Sequence, residues 1–232
     1  MKKILIISAT EKEINLLKQN LQGLTQVNAW TFSGKFNMLD IDILIGGVGI
    51  PANVYRLTKR LSEQHYDLVI NMGIAGSFSE KIRNGDVVNV TKEYFADIGI
   101  DDNGQFKNIF EMGFLDKNTP PFVNGALNNP FTFRKFEIFS KIPNVTGITV
   151  NTTSGSEGCI VNRWIKYQPD VESMEGAAVF YVCLQAKTPF IELRSISNKV
   201  EPRDVKKWDV PQAIISLSNH VMFLLSEINS KE

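Results

Sequence analysis

The chain has 232 residues, 43% of them hydrophobic and 22% charged, so it is long and apolar enough to bury a core as a single domain over residues 1–232. Lys plus Arg and Asp plus Glu both number 25, so no excess charge attracts nucleic acid or an anionic membrane. The two cysteines lack the spacing of a zinc site or a disulfide framework, and no apolar run is long enough to span a membrane. We therefore expect a soluble cytoplasmic protein with no metal and no nucleic-acid or membrane partner.

The first half of the chain alternates apolar runs with helical patterns. The apolar runs predict buried strands at residues 3–9, 41–46, 67–72 and 86–90. Thr10 precedes apolar residues at helical spacing, and Pro51 suits the first turn of a second helix because its missing N–H costs nothing there. Strands that alternate with helices predict an α/β sandwich.

The regular pattern stops between Gly99 and about Phe133. This stretch mixes Gly, Asn, Asp and Pro with several phenylalanines. Long irregular segments in compact domains are usually functional or mobile. Two interpretations stay open here: a loop that covers or lines an apolar part of a ligand, and an ordered surface excursion anchored by its phenylalanines.

Regular structure resumes in the second half of the chain. The sequence predicts a strand over 145–150, a helix over 176–186, an apolar strand over 190–196 and an amphipathic helix from 211 to about 228. In open α/β sheets, ligands bind outside the carboxyl ends of the strands, where loops and helix N-termini converge. Polar residues at those ends are therefore candidates for a site.

Glu175 and Asn198 occupy such positions. Glu175 precedes a helix, whose dipole stabilises the anion, and an ionised carboxylate can accept hydrogen bonds from both hydroxyls of a ribose diol. Asn198 follows an apolar strand and suits contact with a heterocycle. Considered alone, Glu175 is better explained by the preference for acidic residues at helix starts, and Asn198 equally fits a turn.

Glu13 lies just after the first predicted strand. A carboxylate at that edge can hold and deprotonate a water molecule. The spacing of Thr10 and Glu13 also fits a capping box, in which the carboxylate satisfies a backbone N–H. From the sequence alone, the capping role is the simpler interpretation.

Glycine turns follow two of the predicted strands. Residues 47–52 match a shortened dinucleotide-binding pattern, and a turn that supports a nucleoside pocket fits them equally well. Residues 73–77 are a second glycine turn, in which small residues would let a planar ligand approach the backbone. A tight turn without a ligand is the alternative for this second segment.

Several of these segments together resemble the purine nucleoside phosphorylase and nucleosidase superfamily: residues 9–13, 47–49, 71–76, 174–178 and 194–198. Residues 150–157 and 197–204 are more similar to its futalosine hydrolases than to its methylthioadenosine nucleosidases. The resemblance implies an α/β fold, a three-layer sandwich around a central mixed, mostly parallel sheet. It also implies a small-molecule nucleoside substrate, no cofactor, and assembly as a homodimer.

The resemblance assigns roles to individual positions. Glu13 takes the place of the carboxylate that activates water, and Met174 and Glu175 take the places that hold the ribose. Three further positions match residues that line the ribose and the base: Val48, Ala75 and Gly76. Asn198 stands where the methylthioadenosine enzymes carry an aspartate that protonates purine N7.

The amide at Asn198 bears on the identity of the base. Adenine presents a donor at its 6-amino group, whereas hypoxanthine presents an acceptor, O6. An ionised carboxylate would face two acceptors on hypoxanthine, but an amide can donate to N7 or O6 and support the leaving base. Futalosine is an inosine derivative, so the expected reaction is hydrolysis of its N-glycosidic bond, which releases hypoxanthine and dehypoxanthine futalosine for menaquinone biosynthesis.

Other functions remain open at this point. A phosphorylase would need a cationic cradle, for which Arg56 and Arg60 are candidates. A methylthioadenosine nucleosidase, a nicotinamide-dependent oxidoreductase and a non-catalytic nucleoside-binding protein are further alternatives. A carboxylated aryl group at the 5′ position would require Arg or Lys with aromatic walls, expected from residues 99–133 or from a neighbouring subunit.

Overall fold

A computed structural model describes residues 2–231. The elements of the first half are β1 (Lys3–Ser8), α1 (Glu11–Lys18), β2 (Gln22–Asn28), β3 (Thr31–Phe36), β4 (Leu39–Ile45), α2 (Ile50–Glu63), β5 (Leu68–Ser77), β6 (Val87–Phe95), β7 (Gly99–Asp102) and β8 (Gln105–Asn108). Those of the second half are β9 (Leu127–Asn128), α3 (Ile138–Lys141), β10 (Asn144–Thr149), α4 (Glu157–Tyr167), β11 (Val171–Ser173), α5 (Gly176–Ala186), β12 (Phe190–Lys199), a 3₁₀ turn (Val205–Lys207) and α6 (Val210–Ser230).

The main sheet has ten strands in the order β11-β10-β6-β12-β5-β1-β4-β3-β2, with β9 alongside β6. Its middle is parallel: β1 pairs with β4 and β5, and β12 pairs with β5. Antiparallel pairs join β2, β3 and β4 at one edge and β12 to β6 near the other. The central strands end on the same side of the sheet, as parallel strands must, and this gathers their following loops.

One end of the sheet closes on itself. The short strand β11 pairs in parallel with β10 and antiparallel with the last residues of β5. The strands β5, β12, β6, β10 and β11 therefore form a ring of neighbours. Closure brings the end of β11, and with it the start of α5, against the ends of β5 and β12.

Helices cover both faces of the sheet. On one face, α1 and α6 pack against apolar residues of β1 and β4, such as Ile4, Ile6 and Ile41. On the other face, α2 and α5 pack against the alternate residues Leu5 and Ile7. Because successive side chains of a strand point to opposite faces, β1 supplies both cores and is apolar throughout. The expected three-layer α/β sandwich with a central mixed sheet is confirmed.

Several boundaries differ from those that the sequence predicts. Residues 73–77 are not a turn after a strand: β5 continues through them to Ser77 because β12 and β11 pair with them there. Likewise β12 continues past 196 to Lys199. The hairpin of β2 and β3 is an addition, mostly exposed and without a clear apolar alternation.

The segment 99–133 is ordered by its aromatic side chains. It contains the two-stranded sheet of β7 and β8, and Phe122 packs edge-on against Phe95 and Phe110. Phe131 packs in the same way against Phe190 of β12. These contacts match the interpretation of an excursion anchored by its phenylalanines.

Among residues 2–231, no helix combines the length and the apolar character needed to cross a membrane.

Candidate active site

A cavity of about 590 Å³ opens at the carboxyl ends of the central strands. Its walls come from the segments that follow β1 and β4, the last residues of β5 and β12, and the segments after β10 and β11. Every residue that the sequence nominated for the site lines this cavity: Glu13, Val48, Ala75, Gly76, Met174, Glu175 and Asn198. The fold therefore brings together side chains that lie far apart in the chain.

Glu13 has a capping contact and a place in the cavity wall at once. Its Oε2 accepts hydrogen bonds from the backbone N–H and the hydroxyl of Thr10, at 3.0 and 2.8 Å, and from the hydroxyl of Ser8 at 3.2 Å. Its Oε1 accepts from the N–H of Ile74, at 3.2 Å. The two interpretations of Glu13 are thus compatible, because the capping bonds hold a buried carboxylate in the cavity wall.

Glu175 is held in place from two sides. Its Oε1 accepts from the N–H of Gly49 at 3.0 Å, and its Oε2 lies 3.7 Å from Nη1 of Arg194. Burial raises the pKa of Glu175, while Arg194 and the Gly49 N–H act in the opposite direction. Gly49 has φ +83°, a conformation that glycine adopts readily. The glycine turn after β4 therefore serves the carboxylate, with its amide directed at Glu175.

Arg194 is a residue of the site that the sequence interpretation missed. It lies on β12 with only 1% of its surface exposed, and its Nε donates to Glu192 at 2.8 Å. Gly73, directly opposite on β5, leaves room for it: a Cβ there would collide with the guanidinium and lie 3.2 Å from Oε1 of Glu13. The signal was available, because Glu192 and Arg194 interrupt an otherwise apolar strand at alternate positions.

Asn198 is oriented by its neighbours. The register of β12 against β5 shifts between Ile196 and Asn198, a β-bulge of the kind that re-aims side chains. The hydroxyl of Ser197 donates to Oδ1 of Asn198 at 2.7 Å, and Nδ2 donates to the carbonyl of Lys199 at 2.8 Å. Oδ1 accepts from Ser197, and the second hydrogen of Nδ2 is a donor that Asn198 can offer to a ligand.

A second wall of the cavity is fixed by an ion pair. Ser154 donates to Glu172 from its N–H at 2.8 Å and from its hydroxyl at 2.6 Å. Nη1 of Arg163, in α4, lies 3.0 Å from Oε2 of Glu172, and Nη2 of Arg163 donates to the carbonyl of Thr152 at 2.8 Å. The lining residues 152–154 are thereby held by α4 and β11.

Two cations lie at the cavity without a carboxylate partner. Lys12 follows the first residue of α1, and Arg203 lies in the loop after β12; within the described residues neither forms an ion pair. The guanidinium of Arg203 lies 5.6 Å from the ring centre of Trp208, which also lines the cavity. Apolar residues of α6, Val210 and Ile214, complete this part of the wall. The arrangement suits a flat, anionic group.

The segment 99–133 contributes nothing to these walls, since none of its residues lines the cavity. The expectation that it covers or lines the ligand is not met within this chain. Across residues 2–231, no group of three or more His, Cys, Asp or Glu is arranged to hold a metal ion.

The comparisons with known proteins agree with this geometry. The family model described as the phosphorylase superfamily matches residues 3–222. A futalosine hydrolase of Acidothermus cellulolyticus is 31% identical over 222 residues, which are 94% of this chain and 88% of the relative. A 5′-methylthioadenosine/S-adenosylhomocysteine nucleosidase of Colwellia psychrerythraea is 27% identical, with 97% of this chain and 96% of the relative covered.

Solved structures share the fold. The nucleosidase of Neisseria meningitidis in complex with methylthio-immucillin-A superposes with a TM-score of 0.83 at 18% identity, over 97% of this chain and 99% of that one. The futalosine hydrolase of Helicobacter pylori gives a TM-score of 0.82 at 15% identity, over 97% and 98% of the two chains.

The fold is an α/β sandwich with a carboxylate-lined cavity at the ends of its central strands. The chain belongs to the phosphorylase superfamily, and within it to the nucleosidases, which are N-glycosyl hydrolases.

Proposed function

We propose that this enzyme hydrolyses the N-glycosidic bond of futalosine and releases hypoxanthine and dehypoxanthine futalosine, a step of menaquinone biosynthesis. The observation that carries this choice is the amide of Asn198, whose Oδ1 is bound by Ser197 and whose Nδ2 remains a donor. A donor suits N7 or O6 of a 6-oxopurine. The 31% identity with a relative named futalosine hydrolase supports the same choice.

In the proposed mechanism, the base leaves as the C1′–N9 bond breaks and the ribosyl group becomes an oxocarbenium-like cation. Asn198 donates to the departing base while negative charge develops on it, and the base takes up a proton from water as it is released, which balances the proton that Glu13 accepts and returns to solvent. Glu175 accepts from the ribose hydroxyls, and Met174, Val48, Ala75 and Gly76 line the ribose and the base.

Glu13 is proposed to hold the water that attacks C1′. Its oxygens already accept hydrogen bonds from Ser8, Thr10 and Ile74, so the carboxylate is fixed before a substrate binds. A carboxylate that is positioned in advance can accept the proton that water loses as the new C1′–O bond forms.

The cations of the cavity support futalosine over methylthioadenosine. We assign the 5′ substituent, which bears a carboxylated ring, to the wall of Lys12, Arg203 and Trp208. The indole and the guanidinium offer flat surfaces, and both cations lack a carboxylate partner among residues 2–231. A methylthio group carries no charge and would leave these cations unused.

A homodimer is part of the proposal. Helix α4 has no buried residue and exposes Val161, Trp164 and Ile165 by 51%, 53% and 65%. Its N-terminal end follows directly on the cavity residues 152–154. A second copy that covered this apolar face would also lie beside the cavity.

Two alternative activities compete with futalosine hydrolysis: cleavage of methylthioadenosine or S-adenosylhomocysteine, and phosphorolysis. Relatives at 27% and 26% identity are named 5′-methylthioadenosine/S-adenosylhomocysteine nucleosidases, so that activity is the main competitor. For a phosphorylase, the arginines proposed as a cradle are engaged elsewhere: Arg56 donates to the carbonyl of Ile45, and Arg60 pairs with Asp42.

The test is an assay of free base released from futalosine, inosine and methylthioadenosine, each with and without phosphate. We expect hypoxanthine from futalosine at a rate that phosphate does not change. Faster release of adenine from methylthioadenosine would move the assignment to that substrate. Formation of ribose 1-phosphate would identify a phosphorylase.

The 5′ assignment has its own test. Lys12→Met and Arg203→Met should each raise KM for futalosine about tenfold and leave KM for inosine unchanged, since a charge-assisted contact contributes roughly 1.5 kcal/mol or more. Lys59→Met is the control, because Lys59 is exposed on α2 and its ion pair among residues 2–231 is with Glu63. Equal effects on both nucleosides would contradict the assignment.

A further inference from the structure

A second group of charged side chains lies below the cavity, inside the closed end of the sheet. Glu93 of β6 and Glu192 of β12 are both 0% exposed, and they surround the first turn of α5. The Oε1 atoms of both carboxyls occupy the place that a Cβ at Gly176 would take, so these atoms are close neighbours. A Cβ at Gly147 of β10 would likewise collide with Glu93.

The hydrogen bonds of the two carboxyls lead in different directions. Glu93 Oε2 accepts from the hydroxyl of Thr149 at 2.9 Å, and that hydroxyl accepts from the N–H of Ala177 at 2.7 Å. Glu192 Oε1 accepts from Nε of Arg194 at 2.8 Å. One oxygen of each carboxyl, Glu93 Oε1 and Glu192 Oε2, has no hydrogen-bond partner within the described chain.

The charges of this region do not balance if every group is ionised. Arg194 is the buried cation here, and its guanidinium faces Glu175 and Glu192 and lies at Gly73 beside Glu13. Glu93 would add a further anion in a dry interior, where an unpaired charge is costly. A proton on Glu93 removes that anion and turns a carboxyl oxygen without a partner into a donor.

The surroundings of Glu93 favour the protonated form. Burial, and then the charge of Glu192, raise the pKa of Glu93 well above its ordinary value of 4.5, against the smaller opposite effects of Thr149 and Arg194. The titratable group that α5 directs at Glu192 is Cys183, and burial raises the pKa of its thiol, so it stays neutral. Glu192 forms the ion pair with Nε of Arg194, at 2.8 Å.

We propose that Glu93 and Glu192 form a buried acid pair that holds one proton. The pair serves as the counter-charge of Arg194. Glu192 is therefore a positioning residue for cleavage of the N-glycosidic bond. The reacting ribosyl group becomes cationic, and the guanidinium beneath it would oppose that charge unless the surrounding carboxylates, Glu192 among them, neutralise it. With Glu192 ionised behind it, Arg194 keeps its place between Glu13 and Glu175 while its charge is largely neutralised. The proton on Glu93 prevents a second anion from drawing Arg194 away from the cavity.

The test compares two isosteric variants on whichever nucleoside the enzyme cleaves fastest, so it does not depend on futalosine being the substrate. Glu192→Gln keeps an acceptor for Arg194 but removes the charge, and kcat should fall about tenfold or more with KM within about threefold. Glu93→Gln imitates the protonated acid, so kcat near neutral pH should stay within about threefold. In the unaltered enzyme kcat should decline at alkaline pH as Glu93 loses its proton, and this decline should be absent in Glu93→Gln.

Asp42→Asn is the matched control, because Asp42 is a buried carboxylate that pairs with an arginine outside the cavity. It should leave kcat per folded molecule unchanged. An unchanged kcat in Glu192→Gln would overturn the proposal. A loss in Glu93→Gln as large as that in Glu192→Gln would overturn the shared proton.

A measurement on the unaltered protein keeps the proposal testable if a variant fails to fold. Infrared difference spectroscopy should detect the C=O stretch of a protonated carboxylic acid at neutral pH. That band should be lost in Glu93→Gln and retained in Asp42→Asn. Absence of the band from the unaltered protein would refute the acid pair, whatever the identity of the nucleoside.

Discussion

Glu13 belongs to the capping box of α1 and also lines the cavity, so its substitution is an informative test of the proposed mechanism. Glu13→Gln keeps an oxygen and adds an N–H₂ group, and glutamine is itself a normal partner in a capping box. One acceptor can still serve the N–H of Thr10, where the carboxylate now accepts at 3.0 Å. The amide, however, cannot take a proton from water.

The expected magnitudes follow from those two roles. A positioned general base contributes about 10²–10⁴-fold to the rate, so kcat of Glu13→Gln should fall by that factor, or by roughly 3–5 kcal/mol in the activation free energy. KM should change less than about threefold, because the water is activated mainly in the transition state. Glu13→Ala should lose the same activity and in addition about 1 kcal/mol of folding free energy, since the cap is lost.

The assay is release of free base under saturating substrate, with thermal unfolding measured on the same samples. Asp209→Ala controls for capping, because Asp209 accepts from the N–H of Gln212 at 3.1 Å at the start of α6 and does not line the cavity. It should lower the melting temperature as Glu13→Ala does and leave kcat unchanged. A kcat for Glu13→Gln within about threefold of the unaltered enzyme would refute the role of Glu13.

Four further substitutions test other contacts. Asn198→Asp should lower hypoxanthine release about tenfold to a hundredfold, as expected for loss of a donor to a charged acceptor, and chromatography of the released bases would check it. Gly73→Ala places a Cβ against a buried guanidinium and should reduce both kcat and the melting temperature, whereas Gly158→Ala in α4 has open space and should raise stability by about 0.5–1 kcal/mol. Burial alone would raise the pKa of Asp42, but its hydrogen bonds and the nearby cations hold that pKa below 3.8. The stability that Asp42 contributes is therefore present above pH 3.8 and is lost as the pH falls through the pKa of the folded state. Asp42→Asn should therefore cost about 3 kcal/mol at pH 7 in urea unfolding, and the difference from the unaltered protein should shrink below pH 3.8.

Much of the fold could be predicted because its central strands are mostly apolar. β1 reads as a continuous apolar run since both of its faces are buried, and α5 follows an acidic residue at a strand end. The glycines of 73–77 were misjudged as a turn because glycine signals both turns and close approach. Only the pairing of β5 with β12 and β11, which is a long-range property, decides between the two.

Some polar residues of the site could be predicted from the sequence, and others could not. Glu13, Glu175 and Asn198 stand at the ends of elements, where a polar residue has a recognised use and can be nominated from its position. Glu192 and Arg194 lie inside a strand, where the local sequence offers them only each other as partners. Their other partners come from different strands and from the start of α5, so the role of this pair could be identified only from the fold.

The ionisable residues under the cavity fit there because three glycines leave room for them. Gly73 makes room for Arg194, and Gly147 and Gly176 make room for Glu93 and Glu192. Each of these glycines lies on a different element, and none of them borders a turn that requires its freedom of φ. A Cβ at Gly73 would collide with the guanidinium of Arg194, and a Cβ at Gly147 or Gly176 would collide with the buried carboxyl of Glu93. The position of Arg194 under the cavity therefore depends on the missing side chains of these three glycines as much as on the carboxylates around it.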